Sequence, residues 1–121
     1  MKQLLIVAHG SRREASNEEV RVLAGQVAEH LQFPADQVKV AFLELALPSI
    51  TTAFDDCFNS GADEVSVLPY FLSSGTHVVS DVPREIEAAQ AAWPDKVIRV
   101  LPHIGAADTM ISLIAASYRQ S

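Results

Sequence analysis

Strand-like and helix-like segments alternate four times along these 121 residues, and this alternation most restricts the possible folds. The strand-like segments are short apolar runs, predicted at Leu4–Val7, Val38–Leu43, Val65–Leu68 and Val97–Leu101. Four successive strand–helix units predict a parallel sheet with right-handed crossovers. We therefore expect an α/β fold in which residues 1–121 form a single domain, built on one four-stranded parallel sheet with helices on both faces. The first and third strands are the most apolar and are expected at the centre of the sheet.

Capping residues and prolines predict the helix boundaries. Ser16, followed three residues later by Glu19, fits a capping box and predicts that Ser16 caps the first helix. Pro48 is predicted in the first turn of the second helix, and Gly61 is its predicted C′ residue. A third helix is expected between about residues 81 and 94 and a fourth from about residue 108 to the end. One face of the fourth helix carries Met110, Leu113, Ile114 and Ser117.

Composition excludes several classes of function. The formal net charge is −6, and there is no run of five basic residues, which argues against a general nucleic-acid binder. The single cysteine, Cys57, excludes an internal disulfide framework and a Cys-rich zinc site, and its position in a helical pattern predicts a buried structural residue. The sequence has no signal-peptide architecture and no apolar stretch that could span a bilayer, so we expect a cytoplasmic protein with no membrane partner.

Four residues that can bind a metal or move a proton follow the four predicted strands. They are His9, Glu44, His77 and His103. If the strands are parallel, all four lie at the carboxyl edge of the sheet, where open α/β sheets bind ligands. Imidazoles with a carboxylate suit divalent Fe, Co, Ni or Zn, and the same groups could act as general bases. The fourth histidine, His30, is expected on the surface of the first helix.

Each of these candidates also has a purely structural interpretation. His9 could be a buried histidine with satisfied hydrogen bonds, and Glu44 could be a helix-capping carboxylate. Glu44 nevertheless stands between Leu43 and Leu45, an apolar setting that penalises a charge without a partner. His103 follows what is expected to be an edge strand, and its role stays open between a ligand and a residue that lines the mouth of the site.

The segment after the first strand has the composition of an anion-binding turn. Gly10 allows a sharp turn and a close approach of the backbone to a ligand. Ser11 and the amides before the first helix could hold an anion, and Arg12 or Arg13 could add positive charge. Gly10, Ser11 and Arg12 are therefore candidate substrate-binding residues.

The connection between residues 68 and 81 is longer than an ordinary strand–helix loop, which indicates a functional loop. Its candidate substrate-binding residues are Tyr70, Phe71, Leu72, Ser73, Ser74, Gly75 and Thr76. The first three are expected to form an apolar wall of a binding pocket or of a dimer cleft. The alternative is an extra helical turn that covers the sheet edge.

Three segments of the sequence resemble the small sirohydrochlorin chelatases, the short CbiX-type class II tetrapyrrole chelatases. They are Leu5-Ile6-Val7-Ala8-His9-Gly10-Ser11-Arg12, then Phe42-Leu43-Glu44 with Pro48-Ser49-Ile50, and Leu68–Val78 leading to Asp81-Val82-Pro83. The resemblance covers nearly the whole chain. It implies a flavodoxin-like half of a class II chelatase, which inserts cobalt or iron, with nickel as a third candidate, into sirohydrochlorin, a tetrapyrrole with eight carboxylates.

The resemblance also implies roles and partners. His9 and His77 would bind the metal and accept protons, with Glu44 assisting. The divalent metal would be a substrate, with no permanently bound cofactor, and two copies would pair as a homodimer to build the cleft for the macrocycle. Two other functions stay open: a metal or tetrapyrrole carrier without catalysis, and a histidine-phosphatase-like hydrolase. The hydrolase is disfavoured because Ala8 stands where its phosphate-binding arginine would be.

Overall fold

The computed structural model describes residues 1–120, except for the side chain of His77. It contains one four-stranded sheet of β1 (Lys2–Ala8), β2 (Val38–Phe42), β3 (Glu64–Pro69) and β4 (Val97–Val100). The strand order is β2-β1-β3-β4, and every neighbouring pair is parallel. The predicted α/β fold and the central positions of the first and third strands are therefore confirmed. All four strands place their carboxyl ends at one edge, called the carboxyl edge below.

Four helices connect or follow the strands. They are α1 (Glu14–Leu31), α2 (Ile50–Asn59), α3 (Val82–Ala92) and α4 (Thr109–Arg119). Three short turns complete the order: two 3-10 turns at Ala35–Gln37 and Ile104–Ala106, and a π turn at His77–Asp81. None of the helices within residues 1–120 is long and apolar enough to cross a membrane.

Side-chain alternation in the strands divides the core between the two faces of the sheet. On one face α2 and α3 cover Leu5, Val7, Val65 and Val67, all fully buried. On the other face α1 covers Ile6 and Val38 through two buried alanines. The buried stripe of α2 consists of Ile50, Ala53, Phe54, Cys57 and Phe58.

The predicted capping box at Ser16 is wrong. Helix α1 begins at Glu14, and its N-cap residue, Arg13, makes no side-chain capping hydrogen bond. The Ser16 hydroxyl instead accepts a hydrogen bond from the Arg13 guanidinium at 3.3 Å. The helix begins earlier because Asn17, one turn inside it, accepts a hydrogen bond from the Ser11 amide and fixes the incoming chain.

The predicted place of Pro48 in the first turn of α2 is also wrong. Ser49 caps the helix, since its hydroxyl accepts a hydrogen bond from the Thr52 amide at 3.2 Å. Pro48 lies before the cap, where its carbonyl accepts a hydrogen bond from the Phe42 amide at 2.9 Å. The prediction for the other end of α2 is confirmed, because Gly61 follows the C-cap Ser60 with a φ of 107°.

Helix α4 is apolar but uncovered. None of its eleven residues is buried. The large apolar residues Ile111 and Tyr118 are each 79% exposed, and Ile114 is 63% exposed. A helix with apolar residues around its circumference normally lies inside a larger assembly. The α4 side of the sheet is therefore the least enclosed part of the fold.

The single cysteine supports a prediction about alkaline stability. Burial raises the pKa of the Cys57 thiol from 9.0 to about 11. The pKa of the thiol in the folded state lies above its value in the unfolded state. The stability contributed by the buried neutral thiol is therefore fully present below pH 9 and is lost as the pH rises towards 11. We expect the free energy of unfolding to fall by about 2 kcal/mol more across this interval than in Cys57→Ala. Urea titrations of both proteins at pH 8 and pH 11 measure this difference, and equal falls would contradict it.

Candidate functional site

His9 and Glu44 meet at the carboxyl edge, directly after β1 and β2. Two backbone hydrogen bonds continue the pairing of these strands: the Leu43 amide donates to the Ala8 carbonyl at 2.9 Å, and the Glu44 amide to the His9 carbonyl at 3.0 Å. The side chains then converge, with His9 Nε2 3.2 Å from Glu44 Oε1. The His9 side chain is 39% exposed and that of Glu44 54%, so ions and protons from solvent can reach both groups.

A second contact of His9 decides which ring nitrogen carries its proton. His9 Nδ1 lies 2.9 Å from the carbonyl oxygen of Gly10. A carbonyl oxygen only accepts hydrogen bonds, so Nδ1 is the donor. In the neutral imidazole, Nε2 is then an unprotonated acceptor that faces a carboxylate oxygen, which is also an acceptor. This arrangement is favourable only with a cation between the two atoms, either a proton or a metal ion.

The distance between these two atoms fits either cation. Two ligand atoms that each lie about 2.1 Å from one metal are about 3.2 Å apart when the angle at the metal is about 100°. The observed separation of His9 Nε2 and Glu44 Oε1 is 3.2 Å. Two protein ligands leave the remaining coordination positions open, which suits a metal that is handed on. The roles of both residues in metal binding stay predictions.

Gly10 brings the two segments together. Its φ is 94°, a left-handed value that favours glycine. A Cβ atom at this position would lie 1.8 Å from the carbonyl oxygen of Glu44. The close approach at Gly10 is made to the backbone of Glu44, and the predicted approach to a ligand stays a prediction. Leu45, the next residue, also has a positive φ, of 67°, a kind of backbone strain that is concentrated at functional sites.

The turn after Gly10 uses much of its hydrogen-bonding capacity internally. The Ser11 amide donates to Asn17 Oδ1 at 2.9 Å, and Asn17 Nδ2 donates to the Ser11 carbonyl at 2.8 Å. The Arg13 amide donates to the Ser11 hydroxyl at 3.0 Å. Asn17 is only 2% exposed, and its role is not visible in the sequence, because a lone asparagine inside a helical pattern gives no signal. Arg12 remains exposed beside this turn.

The β3–α3 loop (residues 70–76) rises from the same edge. The Tyr70 amide donates to the Val7 carbonyl at 2.8 Å, which fixes the start of the loop against β1. Phe71 packs against the core on the α2–α3 side. The predicted apolar wall is therefore narrower than expected and consists of Tyr70 and Leu72, which are 38% and 76% exposed. Residues 73–76 are exposed as well.

Tyr70 and Leu72 both line the same groove. It has a volume of about 520 Å³ and runs between α1, the sheet and α4. Its lining is almost entirely apolar and consists of Ile6, Leu23, Val27, Leu68, Tyr70, Leu72, Ile104, Met110 and Leu113. Apolar clefts of this size are typical binding places for small molecules and partner surfaces.

The structure places the other histidines as follows. His77 begins the π turn before α3. The long connection between residues 68 and 81 therefore contains an extra helical turn, which was the alternative interpretation of this segment. The side chain of His77 lies outside the described part of the structure. His103 lies in a second groove, of about 420 Å³, beside α3 and the end of β4. His30 is exposed in the last turn of α1, as expected. Among the described side chains, no group of three or more His, Cys, Asp or Glu residues could hold a metal.

Comparison with known proteins identifies the family. The sequence model of the CbiX family matches residues 3–121. The chain belongs to the CbiX family. A sirohydrochlorin ferrochelatase of Bacillus subtilis is 30% identical over 115 residues, which are 94% of this chain and 43% of that protein. This chain thus spans less than half the length of that relative.

Two solved structures share the fold. A putative cobalamin biosynthesis CbiX protein of Marinobacter aquaeolei superposes with a TM-score of 0.84 at 28% identity, and the match covers 99% of this chain and 96% of that one. The sirohydrochlorin chelatase SirB of Bacillus subtilis in complex with cobalt gives a TM-score of 0.80 at 27% identity, and the match covers 98% of this chain and 50% of SirB. The matched unit therefore occurs both as a short chain and as half of the longer chelatase SirB.

Proposed function

We propose that this protein inserts a divalent metal, cobalt or iron with nickel as a third candidate, into sirohydrochlorin. The observation that carries the proposal is the 3.2 Å gap between His9 Nε2 and Glu44 Oε1, two acceptor atoms that need a cation between them. Membership of the CbiX family and similarity to a sirohydrochlorin ferrochelatase support the choice of substrate. The metal is a substrate in this proposal, and no resident cofactor is required.

The reaction exchanges one metal ion for two protons. The divalent metal binds to the two deprotonated nitrogens of the macrocycle, and the two pyrrole protons leave. We propose that His9 Nε2 and Glu44 Oε1 first hold the metal, together with His77. When the metal moves to the macrocycle, Nε2 of His9 becomes available to accept one proton, and the Glu44 carboxylate stabilises the resulting imidazolium. His77 would accept the second proton. Both protons then leave to solvent, the one on His9 through the half-exposed pair of His9 and Glu44.

The macrocycle is proposed to lie against the wall of Tyr70 and Leu72. This wall is exposed next to the carboxyl edge, and an apolar face suits the flat ring of a tetrapyrrole. The carboxylates of the substrate need positive charge, although the whole chain carries −6. Arg12 is exposed after β1, and Arg84 is 73% exposed at the start of α3. We propose that they supply a local positive field.

An anaerobic insertion assay tests the proposed function. The protein is mixed with sirohydrochlorin and, separately, with Fe²⁺, Co²⁺ or Ni²⁺, and the formation of metallated product is followed by absorbance. The proposal predicts many turnovers per protein with at least one of these metals, above the rate without protein. A carrier would bind the macrocycle or the metal and give no turnover.

We also propose that two copies pair through α4. This helix exposes Ile111, Ile114 and Tyr118. Its only charged residue is Arg119, so a second copy can pack against the apolar stripe without bringing like charges together. Pairing would enclose the groove beneath α4 and would leave the wall of Tyr70 and Leu72 at the border of a shared cleft.

We expect the wild-type protein to be a dimer at micromolar concentration. The variant Ile111→Lys should be a monomer under the same conditions. The added charge would be buried against an apolar surface, which costs several kcal/mol. Val22→Lys on α1 is the matched control, because Val22 is also an exposed apolar helical residue, and this variant should stay dimeric. Sedimentation velocity measures both. A monomeric wild-type protein, with and without sirohydrochlorin, would contradict the interface.

A further inference from the structure

The segment after β4 touches the β3–α3 loop backbone to backbone. The Gly105 amide donates a hydrogen bond to the Phe71 carbonyl at 3.0 Å. A Cβ atom on Gly105 would lie 1.8 Å from the carbonyl oxygen of Leu72, 2.4 Å from its carbonyl carbon and 2.8 Å from its Cα. There is no room for any side chain at Gly105, and the obstacle is backbone, which cannot rotate aside as a side chain can.

This contact holds one short stretch of the loop. Phe71 is anchored in the core on the α2–α3 side. The next residue, Leu72, projects an apolar side chain that is 76% exposed, so side-chain packing alone does not fix it. The backbone of Gly105 lies against the backbone of Leu72, and its amide is bonded to the Phe71 carbonyl, so the segment after β4 holds this stretch of the loop. Ile104 and Leu72 then lie together on the wall of the 520 Å³ groove.

The turn that carries His77 is held by different contacts. The amides of Val78 and Val79 both donate to the Gly75 carbonyl at 3.0 Å. This turn leads directly into α3. The pair of His9 and Glu44 is fixed by β1 and β2. Gly105 therefore acts on the apolar wall and not on the proposed metal-holding groups.

We propose that Gly105 is a positioning residue that sets the apolar wall for the tetrapyrrole macrocycle. The assignment rests on the proposed chelatase function. Gly105 does not touch the substrate. It acts through Leu72, and its lack of a side chain determines how close the wall lies to the sheet. Shifting the wall changes how tightly the macrocycle binds and leaves the groups that handle metal and protons in place.

The variant Gly105→Ala tests this role. Gly105 is not among the glycines with positive φ, so alanine meets a steric obstacle there without a backbone penalty. The added Cβ must push the Leu72 backbone away by more than 1 Å to reach ordinary contact. We expect the KM for sirohydrochlorin to rise about tenfold while kcat stays within about threefold of wild type.

Gly25→Ala is the matched control, because Gly25 lies within α1 and a Cβ there meets nothing within 4 Å. Its KM should equal that of the wild-type protein. A KM in folded Gly105→Ala within twofold of the control would overturn the role of Gly105. The wild-type protein reports separately on the proposed function, since a wild type without insertion activity would refute chelation itself.

A measurement on the wild-type protein keeps the inference testable if Gly105→Ala does not fold. The Gly105 amide is bonded to the loop, so its hydrogen exchange reports on the contact. Saturation with sirohydrochlorin, without metal, should slow hydrogen exchange at the Gly105 amide by about tenfold or more. The bound macrocycle would pack on the wall of Tyr70 and Leu72 and so hinder opening of the contact with Gly105. Exchange that is unchanged by the macrocycle would overturn the proposal.

Discussion

His9→Ala and His77→Ala should each lower the rate of metal insertion by at least about tenfold to a hundredfold, which is at or below the lower end of the roughly hundredfold to ten-thousandfold contribution of a general base. His9→Ala removes both a proposed metal ligand and the acceptor that faces Glu44 at 3.2 Å. His9→Ala should leave the core packing intact, because His9 is half-exposed. The second-order rate constant for insertion measures the effect.

His30→Ala is the matched control for both variants. His30 is an exposed histidine at the end of α1. We expect it to keep the wild-type rate, and circular dichroism should give the same fold for all three variants. Wild-type activity in folded His9→Ala would remove His9 from the mechanism, and the same outcome in His77→Ala would remove His77.

Gly10→Ala should lose at least about tenfold in insertion rate, since misplacing a reacting group by 1 Å can cost about a hundredfold. The new Cβ would lie 1.8 Å from the Glu44 carbonyl oxygen, so the segments that carry His9 and Glu44 must separate. The positive φ also lowers the free energy of unfolding by about 1–3 kcal/mol, since alanine is strained in this backbone conformation. Insertion kinetics and urea unfolding measure the two effects.

Gly61→Ala separates these two effects. Gly61 also has a left-handed φ, of 107°, but a Cβ there meets no atom within 4 Å. This variant should lose only the part of the stability that comes from the strained φ, and its insertion rate should be unchanged. If Gly10→Ala and Gly61→Ala behaved alike in both assays, the contact between Gly10 and Glu44 would not position the site.

The sequence predicts the sheet, and the position of His9 and Glu44 at its carboxyl edge, for the same reason. Apolar runs identify the strands, and parallel strands bring whatever follows them to one edge. β1 and β2 are neighbours in the sheet, so the residues that directly follow them come within hydrogen-bonding distance. The sequence leaves the strand order open beyond the central β1 and β3, so the contact itself is a finding of the structure.

Features that depend on tertiary contacts were not predictable in this way. Ser16 matches a capping pattern, but Asn17 fixes the chain before it and the helix begins earlier. Phe71 belongs to the same apolar run as Tyr70, yet only Phe71 turns into the core. The contact of Gly105 with Leu72 joins residues from two different loops, and no local pattern marks it.

The most direct test of the account is a single-turnover experiment with cobalt. The protein is loaded with one equivalent of Co²⁺ under anaerobic conditions, separated from free metal and mixed with an equal amount of sirohydrochlorin. If His9 and Glu44 hold a metal that is passed to the macrocycle, cobalt sirohydrochlorin should form in nearly one equivalent, and His9→Ala should retain little cobalt and yield little product. Binding of the macrocycle with the cobalt left on the protein would contradict the account.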